Sequence, residues 1–590
     1  MPNEPMSPAG EKKRSRKAAV LRLGKYFLRY KGSVAAAFFL MLASNLFALL
    51  GPWLSGEAIN AIDPKAGVDL ARVIVLCAWM AAFYIVSSVF SYVLSVLMIR
   101  LSRNIVRSMR QDVFDKILSL PVGYLDRVQA GDLINRISYD IDTVNASLSN
   151  DILQAATGVI TVFGAFVGMV AVSPLLLAVF AVTVPISVYI TIKRSRSVRP
   201  LFRKRSAKLA QLNGYSEEML SGLKTIRAYG REREMYEKFS VRNKDAVDAY
   251  YEADYYGSMI GPSVNFVNNL GTVLISTAGC LLYLVNKISL GNINSFLLYS
   301  RKFSGPINEF ANIMGEIQSA LAAAERVFRL LDEDSEAPDA PDARPLEDPE
   351  GCVEFEHVRF GYLDGVPVIK DLSFRAEAGQ TIAIVGPTGA GKTTLVNLLM
   401  RFYDPQGGRI LIDGRDIRSY TRASLRGAFT MVLQDTWLFE GSVFENIAYG
   451  REGATLEEVR AAAEAAHMSE YIERLPEKYD TLLTDGGVSL SKGQRQLLTI
   501  ARSMLSHAHL LILDEATSNV DTRTELLIRD AMAKLMRGKT SFVIAHRLST
   551  VRNADLILVV KDGDIVERGR HEELLRLGGF YAEIYGAQFE

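Results

Sequence analysis

The chain has 590 residues, with 67 Lys and Arg against 66 Asp and Glu, a formal charge of +1, so bulk electrostatics gives no case for a nucleic-acid partner. A hydrophobic share of 49% and a mean hydropathy of +0.12 are high for a wholly water-soluble chain and point to membrane content. Cys77, Cys280 and Cys352 are too scattered for a disulfide framework or a zinc or iron–sulfur cluster.

Residues 1–17 are polar, with Pro2, Pro5, Pro8 and the basic run Lys12–Lys17, and read as a disordered tail. A basic region ahead of apolar residues resembles a signal peptide, but none is expected: the first long apolar stretch starts near Val34, exceeds an h-region, and ends in no clear cleavage pattern. Ala18–Lys31 mixes Leu21, Leu23, Tyr26, Phe27 and Tyr30 with Arg22, Lys25 and Arg29, which suits a helix in the membrane interface or a plain cytosolic helix. Six apolar segments follow, at about 34–55, 73–99, 152–173, 175–194, 261–286 and 293–318. Each reaches the ~20 helical residues that cross a hydrocarbon core of about 30 Å. Only Ser173-Pro174 separates the third from the fourth.

Loop charge sets orientation. Residues 12–31, 100–151 and 195–257 are rich in Lys and Arg, whereas the turns near 56–72, 173–174 and 287–292 are nearly free of them. The N-terminus, both long loops and everything after 318 are therefore expected in the cytoplasm of a plasma- or inner-membrane protein. Ile105, Met109, Val113 and Ile117 keep helical spacing, so the spans should run on into the cytoplasm as helices. Asn265, Asn268 and Asn269 share one face of the fifth span, and Glu309 and Glu316 one face of the sixth. An ionisable group at membrane depth usually faces a cavity or a partner. Glu309 is thus expected to line the translocation path and favour a cationic or zwitterionic substrate; alternatively, both Glu are solvated near the cytoplasmic end or lie in helix contacts. The expected domains are a transmembrane unit over 18–331, an acidic Pro-rich linker over 332–350 (Pro338, Pro341, Pro345, Pro349), and a soluble α/β unit over 351–590.

In that last unit the apolar run Thr381–Val385 reads as a buried strand, Thr394–Leu399 as a helix, and Gly386-Pro387-Thr388-Gly389-Ala390-Gly391-Lys392-Thr393 as the loop between them. A Gly-rich turn at a helix N-terminus presents successive backbone N–H groups to phosphate. Lys392 adds a charge for the β/γ phosphates and the Thr393 hydroxyl a ligand for Mg²⁺. Strand Leu510–Leu513 ends in Asp514-Glu515. Asp514 can hold Mg²⁺ through water, and Glu515 can act as general base on an attacking water. Asp413-Gly414 and Asp562-Gly563 mark hairpins.

Further motifs follow: Leu490-Ser491-Lys492-Gly493-Gln494 opening an amphipathic helix, Ser518-Asn519-Val520-Asp521, His546 at a strand end, Gln434 after the phosphate loop, and Tyr362 before it. Their order and spacing over about 350–588 resemble the ATPase domain of ABC transporters. The six-span half, with Glu325-Arg326 ahead of the linker, resembles the type IV exporter membrane domain. The resemblance implies a membrane all-α domain of six transmembrane helices followed by an α/β P-loop NTPase domain. It implies ATP and Mg²⁺ as cofactors, with ATP held by Tyr362 stacking on adenine, by Gly386 to Thr393, and by Thr394. Lys392, Gln434, Glu515 and His546 would be catalytic, and Thr393, Gln434 and Asp514 would serve Mg²⁺. Ser491, Gly493 and Gln494 would act in trans on ATP held by a second ATPase domain, with Asp521 shaping the contact. Lys492 departs from the Gly usual at its position and leaves a heterodimer open. Segments Tyr124–Asp142, with Gly131, and Asn213–Arg231, with Ser221-Gly222, resemble the regions that couple such domains to the membrane. A half-transporter follows, pairing with itself or a related chain to export a small molecule, lipid or peptide through the bilayer. Uptake of a metal chelate and a soluble ABC-type ATPase are the alternatives.

Overall fold

The computed structural model describes residues 9–63, 67–363, 365–434, 436–483, 490–514, 521–544 and 551–589. It divides into two compact units, Met1–Ser119 with Gln129–Glu333, and Leu120–Val128 with Asp334–Glu590.

The first unit is built of helices. Helix α1 (Ala9–Leu28) starts well inside the stretch expected to be disordered. Ala, Glu, Lys and Arg dominate Ala9–Lys17, and these are good helix formers. Its Tyr26 is buried, donates to Asp112 at 2.6 Å and stacks on Phe328, while Arg22 pairs with Asp332 at 2.5 Å. Helices α2 (Lys31–Asn60), α3 (Leu70–Ser119), α4 (Ile152–Val172), α5 (Pro174–Ser221), α6 (Glu232–Ser258), α7 (Ile260–Leu284) and α8 (Leu290–Leu331) follow. Five helices among the described residues are long and apolar enough to cross a membrane. The sixth expected span is α8, less apolar because Arg301, Lys302, Glu309 and Glu316 lie on it. At 1.5 Å per residue the 50 residues of α3 extend about 75 Å, far beyond a bilayer core. Ser173 makes the sharp turn between α4 and α5, extended at φ −161°, with its hydroxyl accepting from Leu176 N and Pro174 opening the helix. Two prolines, Pro185 and Pro200, lie inside α5, each removing a ladder hydrogen bond.

Lipid gives helices little hydrophobic drive to associate, so close packing and interhelical hydrogen bonds carry the cohesion. Ala165 and Met169 of α4, Leu176 and Phe180 of α5, Ile275 of α7, and Phe296 and Tyr299 of α8 form one buried cluster. Phe180 meets Phe296 and Phe303 edge-on, and Tyr299 donates to Leu49 O at 2.8 Å. Near the end of α8, Arg326 grips the buried Asp140 through two nitrogens at 3.0 and 2.5 Å.

In the second unit, strands β1 (Val353–Phe360), β2 (Ile369–Ala376), β3 (Thr381–Val385), β4 (Gly407–Ile412), β5 (Arg415–Asp416), β6 (Phe429–Val432), β7 (Leu510–Asp514), β8 (Thr540–Ile544), β9 (Leu556–Lys561) and β10 (Asp564–Gly569) make two sheets. A four-stranded antiparallel sheet runs β2-β1-β4-β5, and a six-stranded one β10-β9-β3-β8-β7-β6. The latter is parallel apart from β10. Strands β3, β7, β8 and β9 are apolar almost throughout because they are covered on both faces. Helices α9 (Lys392–Leu399), α10 (Lys492–Leu505) and α11 (Thr522–Met536) complete the elements that matter below. Residues 334–350 also lie against this unit: Glu336 pairs with Arg426 and Asp339 with Arg422, and Leu346 N donates to Ser424 Oγ.

Candidate functional site

Open parallel sheets bind ligands beyond the carboxyl ends of their strands. Here Ile384 of β3 is level with Ile544 of β8, and Ile544 with Asp514 of β7. The end of β3, which feeds the Gly386–Thr393 loop, and the Asp514 carboxylate therefore share one sheet edge, two strands or roughly 10 Å apart. Gly386 has to be glycine: a Cβ there would sit 2.1 Å from the Val560 carbonyl oxygen. Gly391 at φ +104° caps α9 without any side-chain acceptor, so the first N–H groups of that helix are left for an anion. Pro387, Thr388, Gly389 and Thr393 are exposed around the turn, while Ala390 packs inward. Lys392 folds back over the loop, its ammonium donating to Gly386 O at 2.7 Å and Pro387 O at 2.9 Å. Burial pushes this ammonium below its ordinary pKa, and Asp514 works in the opposite direction. A cradle of uncapped N–H groups, a lysine and a nearby carboxylate fits a nucleotide phosphate with its divalent cation.

Gln434 is exposed just beyond β6, the strand beside β7. The segment after it is tied to α10 by Arg502, which donates to Trp437 O at 3.1 Å and Asn446 O at 2.8 Å. Ser491 caps α10: its hydroxyl accepts from Gln494 N, and the Gln494 side chain accepts from Ser491 N. Gly493 is buried behind them and Lys492 is exposed. Asp521 caps α11 by accepting from Thr524 N at 3.0 Å, and that bond holds its carboxyl below the usual range. Glu515 and His546 lie outside the described residues.

Tyr362 is 44% exposed, with its hydroxyl tethered to Thr394 Oγ1 at 3.2 Å and to Asn397 Nδ2 at 3.1 Å. Thr394 itself is buried. The Tyr362 ring meets Phe360 and Tyr403 edge-on, each at 5.1 Å. Tyr403 in turn donates to Asp126 at 2.7 Å, and a Cβ on Gly123 would come 2.8 Å from its ring. Leu120–Val128 is thus fastened to the same aromatic cluster as Tyr362. Tyr403 and Asp126 were not singled out in the sequence. The available signal was an aromatic residue in Arg401-Phe402-Tyr403-Asp404-Pro405, close behind the phosphate-loop helix, but its partner is 277 residues away.

In the helical unit, Glu309 borders a cavity of about 690 Å³ otherwise lined mainly by apolar side chains of α4, α5 and α8, and its carboxylate accepts from Gln154 Nε2 at 2.7 Å. Glu316 is not among the lining residues.

A family model described as the ABC transporter transmembrane region matches residues 34–307, and one described as ABC transporter matches 369–518. The chain is 46% identical over 541 residues to a fatty acid ABC transporter ATP-binding/permease protein of Mycobacterium bovis, spanning 92% of this chain and 84% of that one. It is 37% identical over 493 residues to an ATP-dependent lipid A-core flippase of Methylobacillus flagellatus, spanning 83% of each. The solved structure of a bacterial Atm1-family ABC exporter with ATP bound is similar at a TM-score of 0.76 and 29% identity, over 95% of this chain and 98% of that chain.

Proposed function

Because the chain belongs to the ABC transporter family, as a membrane-spanning, ATP-hydrolysing exporter with one transmembrane region and one ATPase domain, we propose that two such chains, or this one and a related partner, act together on an acyl-bearing amphiphile. The sheet edge that brings the Gly386–Thr393 loop level with Asp514 carries this reading, since it is built for a nucleotide. Lys392 and the α9 N–H groups would bind the phosphates, Tyr362 would stack on the adenine, and Thr393, Asp514 and Gln434 would hold Mg²⁺. Held by Thr393, Asp514 and Gln434, a divalent cation would supply positive charge to neutralise the phosphates. Glu515 takes the proton of the attacking water, and His546 orients Glu515 and that water. Ser491 and Gly493, at the head of α10, serve the nucleotide of the partner subunit, and Asp521 shapes that contact. The two long loops over 100–151 and 195–257, the N-terminus and the ATPase domain face the cytoplasm, as the Lys and Arg distribution supports. Glu309 and its cavity lie on the transport path. The amphiphile class is supported by the substrates named for the two relatives and by a cavity lined chiefly by apolar side chains.

The test is ATP turnover by the full chain in lipid nanodiscs. Lys392→Ala should abolish it. Glu515→Gln should retain ATP and hold two ATPase domains together with turnover near zero; turnover close to wild type would remove Glu515 as the base.

A further inference from the structure

One short stretch of α5 fronts two cavities. Val188, Thr191 and Ile192 line the Glu309 cavity. Tyr189, Ile190, Lys193 and Arg194 line a second, of about 970 Å³, closed on its other side by residues of α6 and α7 including Pro262, Phe266 and Val267. At about 100° per residue these two sets occupy opposite sides of the helix. The second cleft is lined by two cations and no carboxylate. Lys193 sits 5.8 Å from the Tyr189 ring centroid, and neither Lys193 nor Arg194 makes an ion pair among the described residues.

Their depth is informative. Counted from Pro174, where α5 begins, Lys193 lies roughly 29 Å along the axis, one hydrocarbon thickness. Pro262, Phe266 and Val267 occupy the first turns of α7, which begins at Ile260. The cleft is therefore charged at the membrane boundary, with apolar walls beside the charge. An ammonium and a guanidinium lining one cleft can hold a carboxylate by charge-assisted hydrogen bonds, strengthened where water is scarce. The cleft, of about 970 Å³, has room for an acyl chain beside the charged pair.

We propose that this cleft binds one long-chain carboxylate from the cytoplasmic leaflet, its head on Lys193 and Arg194 and its chain against Ile190, Phe266 and Val267. The proposal rests on the orientation and transport reading given above. To test it, the full chain is placed in phosphatidylcholine nanodiscs and labelled with a palmitate bearing a diazirine in its chain, and the adducts are mapped. Adducts should fall on residues 189–201 and 262–267. Palmitate should displace the probe about tenfold or more better than its methyl ester or hexadecylamine. Lys193→Gln with Arg194→Gln should lose that preference, and Lys193→Arg should keep it. Equal displacement by ester and amine overturns the proposal, and so does displacement by added phosphatidylglycerol as strong as by palmitate. If the double variant cannot be purified, the wild-type competition series and the narrowing variant Phe266→Trp, which should weaken labelling, decide the matter. ATP hydrolysis in the same discs separates the two readings: absent hydrolysis with selective labelling counts against transport alone, and intact hydrolysis with unselective labelling against this site alone.

Discussion

Deleting one oxygen atom, in Tyr403→Phe, should loosen Leu120–Val128 from the ATPase unit while leaving the nucleotide cradle whole. The phenol donates to the Asp126 carboxylate at 2.7 Å. Burial first, and the Asp126 hydrogen bond second, push its pKa well above the ordinary phenol value, so it remains a donor throughout the physiological range. A hydrogen bond to a charged acceptor contributes about 1.5–3 kcal/mol; because Asp126 is exposed, solvent screening brings it to the bottom of that range or just below, about 1–1.5 kcal/mol. That is a five- to thirteen-fold change, roughly, in the docked population of the segment. Amide hydrogen exchange reads it directly: protection over 120–128 should fall by about that factor. ATP affinity should stay within about twofold, because the ring and its edge-on contact with Tyr362 survive. If this segment transmits substrate occupancy, stimulation of ATPase by substrate should fall as well. Asp126→Asn, which keeps an oxygen acceptor, should show a smaller loss. Unchanged protection over 120–128 in Tyr403→Phe would refute the assignment of this bond as the fastening.

Three other outcomes are expected. Gly386→Ala should cost more than about 2 kcal/mol and eliminate ATP binding, since the added Cβ meets the Val560 carbonyl at 2.1 Å; near-normal binding of a fluorescent ATP analogue would contradict it. Arg326→Ala should destabilise the helical unit by about 2 kcal/mol because it strands the buried Asp140, and adding Asp140→Asn should recover part of the loss in thermal melts. Glu458 accepts from the Thr455 N–H and hydroxyl and pairs with Arg451, which together hold its pKa at about 2. A depressed carboxyl contributes stability above its unfolded pKa, about 4.3, and loses it as pH falls towards 2. The melting-temperature gap between wild type and Glu458→Gln should therefore close across that interval, and a constant gap would count against the assignment.

Local signals were legible wherever function depends on consecutive residues. The Gly386–Thr393 loop, the acidic end of β7 and the Ser173-Pro174 turn could each be read because backbone geometry there restricts residue type. The spans were legible because a bilayer imposes length and apolarity at once. What stayed hidden depends on pairing across long separations. Tyr403 with Asp126, and Arg326 with Asp140, leave no periodic trace. By contrast, the caps were within reach of the sequence: Ser491-Lys492-Gly493-Gln494 has capping-box spacing, and Asp521 stands where a helix N-cap is expected.

Pro185 and Pro200 bracket the stretch of α5 that separates the two cavities. A helix is about 10 Å across with its side chains, so this divider is one helix thick and is weakened in its backbone ladder at both ends. The two chambers are therefore kept apart by a single helix's thickness of backbone and side chains rather than by a packed interior.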